Sequence, residues 1–268
     1  MAKIHVERMM HRNSIAVAGE TAASYALIKL IPSGLGQSGK MGLNLALVLD
    51  VSGSMYEEDG TGISRLHRVQ QAAHAAIQKL KELHAAAGQV LIASPMLGRP
   101  EVVAAGQAGT VVGGQPDVVA RCRPLFSAIA PRVVDAGPEP ASAAVIKIAN
   151  NFVLGCAIEA LGEGFSLIRK YGVAPDVFLS VLTDGLFNCP AYKAYGKIIV
   201  EQKYLPAGQR AMNGLKDANL ALAAAEAVGV PLPSGNVWRD RLVGAVAHGE
   251  GENDWAVMAR DQARASGL

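Results

Sequence analysis

The chain has 268 residues, half of them apolar, a formal charge of +2 and three cysteines. That length allows one large domain or two ordinary ones, with enough apolar side chain for a sizeable core. Its 25 basic and 23 acidic residues are scattered, so the strong basic field that a phosphate backbone attracts is missing and nucleic acid is excluded as an expected partner. Lys3, His5, Glu7, Arg8, His11 and Arg12 precede any apolar run, so no signal-peptide core is expected. No run of about 18 uncharged apolar residues offers a membrane span. Cys122, Cys156 and Cys189 lie far apart and form no CxxC pair, which argues against a disulfide framework or a zinc ribbon; three small buried hydrophobes in a reducing cytoplasm are expected.

In chain order, residues 1 to 33 alternate in places, as in Lys3-Ile-His-Val-Glu and Tyr25-Ala-Leu-Ile-Lys-Leu-Ile, and read as two or three strands. Gly34-Leu-Gly-Gln-Ser-Gly39 follows, directly after Pro32-Ser33. Leu43 to Leu49 is a near-continuous apolar run of the kind buried on both faces of a sheet. Ser64 to His84 carries Leu66, Val69, Ala73, Ile77, Leu80 and Leu83 at spacings of three and four, the pattern of an amphipathic helix. Gly88 closes it, and Gln89-Val-Leu-Ile-Ala predicts a strand. Thr110-Val-Val-Gly-Gly predicts another, ending at Pro116-Asp117, which starts a helix over Val118 to Ala130; Arg132-Val-Val-Asp is a further strand.

From Ala141 the chain turns Ala-rich at helical period, punctuated at Gly172, Pro190, Pro206 and Pro231-Leu-Pro233. The expected fold is therefore an α/β amino-terminal part, an incomplete three-layer sheet, followed by a mostly α-helical carboxyl-terminal domain. The expected divisions are 1–87, 88–138 and 139–268.

Ala143-Ala-Val-Ile-Lys-Ile-Ala-Asn-Asn-Phe places Lys147 and Asn151 four residues apart, hence on one helix face. Taken alone, Lys147 reads as a lysine whose stem covers apolar surface. The segment resembles the catalytic helix of the β-hydroxyacid dehydrogenases of the 3-hydroxyisobutyrate type, with Lys147 in the place of the proton-transferring lysine. Ala93-Ser-Pro-Met-Leu-Gly-Arg is similar to that family's substrate-binding Asp-Ala-Pro-Val-Ser-Gly-Gly, with Gly98 retained. Leu97 stands where a serine holds the substrate carboxylate, and Arg99 replaces the second glycine; an arginine can meet a carboxylate through two parallel hydrogen bonds. Gly214-Leu-Lys-Asp-Ala-Asn-Leu resembles the Lys-Asp helix, in which Lys216 lies near the nicotinamide and Asp217 braces it. Glu252-Asn-Asp-Trp-Ala-Val-Met resembles the closing acidic motif. The similarity runs from about residue 89 to 268. It implies an NAD(P)-dependent oxidoreductase with a small-molecule substrate, Lys147 as acid/base and Asn151 orienting the substrate. It also implies a homodimer formed through the helical domain.

The opening segment does not follow that family. Gly34, Gly36 and Gly39 match the G-x-G-x-x-G spacing that lets a backbone approach a pyrophosphate, yet Pro32-Ser33 interrupts the strand before it and a strand-like run follows. Leu43-Asn-Leu-Ala-Leu-Val-Leu-Asp-Val-Ser-Gly-Ser-Met is similar to the first strand and metal loop of a von Willebrand factor A domain. Its Asp50, Ser52 and Ser54 are hard oxygen donors of the kind Mg²⁺ takes; the same cluster can equally cap a helix start. Thr183-Asp184-Gly185 mimics that family's later Thr-Asp-Gly. Three functions follow as expectations: an oxidoreductase whose cofactor lobe is incomplete and whose activity is therefore in question, a Mg²⁺-dependent binding module, and a catalytically silent helical dimer.

Overall fold

The computed structural model describes residues 3–10, 26–33, 81–82, 85–86, 88 and 90–268. Two β-strands, β1 (Lys3–Met10) and β2 (Ala26–Ser33), pair antiparallel from Lys3 opposite Ser33 to Met10 opposite Ala26. The alternating residues of the first 33 positions thus form a hairpin pair. Gly34, Gly36, Gly39, Asp50, Ser52 and Ser54 lie outside the described residues.

The second unit begins with a small sheet in the order β3 (Met96–Leu97), β4 (Gly109–Val112), β5 (Arg132–Asp135). Of the strand expected over Gln89 to Ala93, the described residues from Val90 on form no continuous strand. Ala93 meets Gly113 as an isolated antiparallel bridge, and pairing resumes only at Met96 opposite Thr110. Pro95 stands between them, and a residue without an N–H breaks a ladder. A short helix, α1 (Pro100–Ala104), leads into β4. Strands β4 and β5 run parallel, joined by α2 (Pro116–Ile129), the expected β-α-β crossover. Pro116 sits in the first turn, where its missing N–H costs nothing, and Asp117 favours the positive end of the helix dipole. Ile92, Val112, Val118, Val119 and Phe126 bury the space between sheet and helix. Beneath them the buried hydroxyls of Ser94 and Thr110 satisfy each other at 2.8 Å.

Helix α3 (Pro140–Lys170) spans 31 residues and is the axis of everything after it. It ends where Arg169 and Lys170 face the negative end of its dipole and Gly172 takes φ +70°, a conformation glycine adopts without a Cβ penalty. By length and composition it could cross a membrane, although Lys147, Glu159 and Glu163 interrupt it. Around it lie α4 (Pro175–Asp184), α5 (Pro190–Glu201), α6 (Ala211–Glu226), α7 (Pro233–Ala247), a 3₁₀ turn at Trp255–Val257 and α8 (Met258–Ala265). Proline opens α4, α5 and α7, so the punctuation at Pro190 and Pro233 is real; Pro175 does the same and was not expected. Thr183 donates its hydroxyl to the Leu179 carbonyl at 3.0 Å inside α4, and Gly185 caps it. The Thr-Asp-Gly sequence is thus a helix end.

Ile158, Leu161 and Phe165 of α3 pack against Tyr195 and Ile199 of α5, Ala218 and Ala221 of α6, Trp238 and Leu242 of α7, and Trp255 and Met258. Trp238 and Trp255 meet edge to face, centroids 6.1 Å apart, the geometry aromatic quadrupoles favour. The Cβ of any residue other than glycine at 155 would lie 2.2 Å from Trp238 Cε2, so the helices can approach only because that position is glycine.

One charge is set inside this core. Glu159 of α3 is buried, accepts a hydrogen bond from Arg241 Nε at 3.0 Å, and leaves Oε2 without a donor among the described residues. Arg241 also reaches Asp261 at 3.7 Å, and Asp261 meets His248 at 3.4 Å. Burial pushes the Glu159 carboxyl up to about 7 despite Arg241, with Glu163 and Asp261 adding like charge. The folded chain therefore holds this proton more tightly than the unfolded one. The associated stability is fully present below about pH 4.5 and is lost as pH rises through about 7, on the order of 3 kcal/mol in all. Urea unfolding at pH 5 and pH 7.5 should show this decline in the native chain and lose it in Glu159→Gln; equal slopes would refute it. The same burial pushes the neighbouring Cys156 thiol up to about 11, with the Glu159 charge assisting, which leaves it nearly inert as a nucleophile at neutral pH.

Candidate active site

The face of α3 that carries Lys147 and Asn151 turns toward two neighbours. Lys147 Nζ donates to the carbonyl oxygen of Met96 in β3, so the ammonium end lies against the strand of the Ala93–Arg99 segment. One turn on, Asn151 Nδ2 donates to Asp217 Oδ2 at 3.0 Å, which ties α3 to α6. The adjacent Lys216 approaches the other oxygen, Oδ1, at 3.2 Å. Its side chain and that of Asp217 are 12% and 9% exposed, so the pair sits in a protected place where Coulomb attraction is less screened than in water. The helix has a local reason to form there: Ala211, Gly214, Ala218 and Ala221 are small and buried, which lets α6 lie close to its neighbours.

Asn151, Lys216 and Asp217 thus meet in one cluster, with both oxygens of a buried carboxylate occupied by donors, while Lys147, one turn before Asn151 on the same helix, is held at Met96. Ammonium and amide groups face the region, and Asp217's charge is spent on them. Such a donor set suits an alcohol or carbonyl oxygen and a carboxylate-bearing substrate, since each can accept a hydrogen bond. It also fits the nicotinamide end of a dinucleotide, whose carboxamide both donates and accepts. Among the described residues no group of three His, Cys, Asp or Glu is placed to hold a metal ion.

Gly98 and Arg99 lie at the edge of this region. Gly98 takes φ +152°. The Arg99 guanidinium stands 5.2 Å from the Tyr195 ring centroid and 3.4 Å from Asp254 Oδ2. Asp254, 1% exposed in its side chain, belongs to the closing acidic motif, which by itself gave it no role at the site. Its Oδ2 accepts the backbone N–H groups of Gly208 and Gln209 at 3.0 and 3.3 Å, and its Oδ1 accepts that of Ala256 at 3.1 Å. The signal for it was available: an acidic residue immediately before Trp255-Ala-Val is a helix-cap signature.

The helical part of the chain is similar to known proteins. Residues 141–261 match the family described as the NAD-binding domain of NADP-dependent 3-hydroxyisobutyrate dehydrogenase. An uncharacterized oxidoreductase of Bacillus subtilis, YfjR, is 37% identical over 183 residues, covering 68% of this chain and 64% of that protein. The solved structure of 3-hydroxyisobutyrate dehydrogenase from Salmonella typhimurium superimposes with a TM-score of 0.63 at 22% identity, covering 69% of this chain and 65% of that one. The Mycobacterium tuberculosis 3-hydroxyisobutyrate dehydrogenase, solved with L-serine, gives 0.60 at 25% identity over 69% and 66%. The chain therefore spans just under two thirds of these relatives. The sequence matches support the β-hydroxyacid dehydrogenase family and the structural ones its fold, and they give the von Willebrand opening and its Mg²⁺ no support.

Proposed function

We propose that this chain is an NAD(P)-dependent oxidoreductase of the 3-hydroxyisobutyrate dehydrogenase type, acting on a small hydroxy acid or the matching carbonyl compound. The observation that carries this reading is the cluster of Asn151, Lys216 and Asp217 across two facing helices, with Lys147 one turn before Asn151 on the same helix face. The nicotinamide, when bound, supplies the place where the hydride is taken up or given. Lys147 Nζ, as the neutral amine, takes the hydroxyl proton as the alcohol is oxidised, and as the ammonium returns it to the carbonyl oxygen in the reverse direction. The Met96 carbonyl holds that amine in place. Asn151 orients the substrate oxygen through the part of its amide not used on Asp217, and Lys216 lies on the cofactor side. Arg99 and Gly98 belong to the substrate's carboxylate end, with Arg99 adjusting from Asp254.

Gly34, Gly36 and Gly39 are proposed as a dinucleotide-binding turn on their spacing alone. The three divisions at 1–87, 88–138 and 139–268 belong to the same reading. Self-association through the helical domain is favoured by exposed apolar side chains: Val153 is 64% exposed, Leu167 60%, Val181 67% and Leu186 96%. Cys122, Cys156 and Cys189 are all unbridged, which fits a reducing cytoplasm. For the Mg²⁺ reading of Asp50, Ser52 and Ser54 no structural observation speaks.

The test is a titration of the full chain with NADPH and with NADH, following nicotinamide fluorescence, and then a screen of β-hydroxy acids. Saturable binding that is lost in Gly36→Ala is expected. No binding up to millimolar cofactor would sink the reading of a working enzyme.

A further inference from the structure

Asp217 has three donors, and one of them is not a residue of the proposed chemistry. Gln209 Nε2 reaches Asp217 Oδ2 at 3.4 Å, beside Asn151 Nδ2 at 3.0 Å, while Lys216 takes Oδ1. Two donors on one oxygen and an ammonium on the other fix the plane of the carboxylate, because three of its four lone-pair directions are then assigned. Gln209 is itself held from both sides of its backbone. Its N–H donates to Asp254 Oδ2 at 3.3 Å, and its carbonyl accepts from the Trp255 N–H at 2.7 Å. Further on, Arg210 and Asp254 form an isolated bridge, and the Ala211 N–H donates to the Asn253 carbonyl at 2.8 Å. The loop before α6 is thus laced to the loop before the 3₁₀ turn, and the Gln209 side chain starts from a defined point. Arg99 touches the same Asp254 oxygen at 3.4 Å.

We infer that Gln209 is a positioning residue, which acts through Asp217 to set the orientation of Asn151 and Lys216 and which couples them, by way of Asp254, to the Gly98-Arg99 turn. This rests on the oxidoreductase reading only where turnover is concerned; the hydrogen-bond relay itself is independent of it. Gln209 touches neither of the proposed reacting groups directly. Its effect is on the geometry of those that do, where a small misplacement is costly because the reacting atoms must be aligned. Losing one hydrogen bond of this kind corresponds to a factor of about three to ten.

The experiment uses the full chain labelled with ¹⁵N in its side-chain amides, comparing native protein with Gln209→Leu, which keeps the bulk and removes the donor, and Gln209→Glu, which keeps the shape and sets a second carboxylate against Asp217. In both variants the Asn151 Nδ2 protons should shift, further in Gln209→Glu than in Gln209→Leu, with the melting temperature nearly unchanged in Gln209→Leu and lowered in Gln209→Glu by the like charge set against Asp217. If the chain turns over a hydroxy acid, kcat should fall about three- to tenfold in Gln209→Leu with KM changed less. Asn151 resonances that stay in place in both variants would overturn the inference, whatever the activity. A shift in a chain that reduces no substrate would uphold the relay and count against the oxidoreductase reading alone. Should Gln209→Leu fail to fold, the Gln209→Glu spectrum decides.

Discussion

Lys147→Met is expected to lower turnover by about two to four orders of magnitude while leaving the fold and cofactor affinity as they are, the range that loss of a positioned general acid/base produces. The methionine keeps most of the apolar stem that lies along α3, so the packing contribution of the lysine survives and only the proton-carrying amine is lost. The amine has a defined place, donating to the Met96 carbonyl, and that carbonyl will be left without this donor; the cost is about 1 kcal/mol of stability at most, since the contact is only part-buried. Single-turnover kinetics with hydride transfer followed at the nicotinamide absorbance band, together with a cofactor titration, separate the two effects. Unchanged turnover would remove Lys147 from the chemistry and return it to the role of a helix lysine over apolar surface.

The second large effect is on stability. Gly155→Ala is expected to destabilise the chain by about 2 to 3 kcal/mol through overpacking. Alanine is the better helix former by up to about 1 kcal/mol, so an isolated helix would gain. Here the new methyl would stand 2.2 Å from Cε2 and 2.6 Å from Cδ2 and Cζ2 of Trp238, a fully buried ring. The indole cannot swing aside, because Trp255 meets it edge-on at 6.1 Å, so α3 and α7 must part. Reducing the ring should relieve the strain, and Gly155→Ala with Trp238→Phe is expected to lose less than the two single changes summed. Urea midpoints of the four proteins check this; a neutral or stabilising Gly155→Ala would show that the helices have room. Asn151 is one turn from Gly155 on the same helix, so any parting there should also loosen its contact with Asp217.

The elements that sequence reveals here are those whose signal is local. Pro116-Asp117, Pro190 and Pro233 mark helix starts because proline fixes φ and lacks the donor a first turn does not need. Arg132-Val-Val-Asp is legible as a strand from its β-branched pair, and Lys147 with Asn151 from helical spacing. Gln89 to Ala93 misleads, since its apolar run lacks any mark of the break that Pro95 imposes two residues later. What periodicity cannot report is the partner. The contact of Asn151 with Asp217 joins residues 66 apart, that of Gly208 with Asp254 residues 46 apart, and that of Lys147 with Met96 residues 51 apart. Gly155 in an Ala-rich helix looks like an ordinary small residue until Trp238 is beside it. The family resemblance supplied Lys216 and Asp217 together, whereas Gln209, which no motif singled out, enters only through distances.

Asp254 also constrains the order in which this chain can change over generations. Any side chain at position 208 would place its Cβ 1.7 Å from Arg99 Nη2, driving the guanidinium away from both Asp254 and the Tyr195 ring. Residue 99 can shorten first, and position 208 is then open to substitution; in the reverse order the intermediate carries a displaced arginine and an Asp254 deprived of its cation. Descendants that still have arginine at 99 should therefore keep glycine at 208, while those that have lost the arginine should vary there freely.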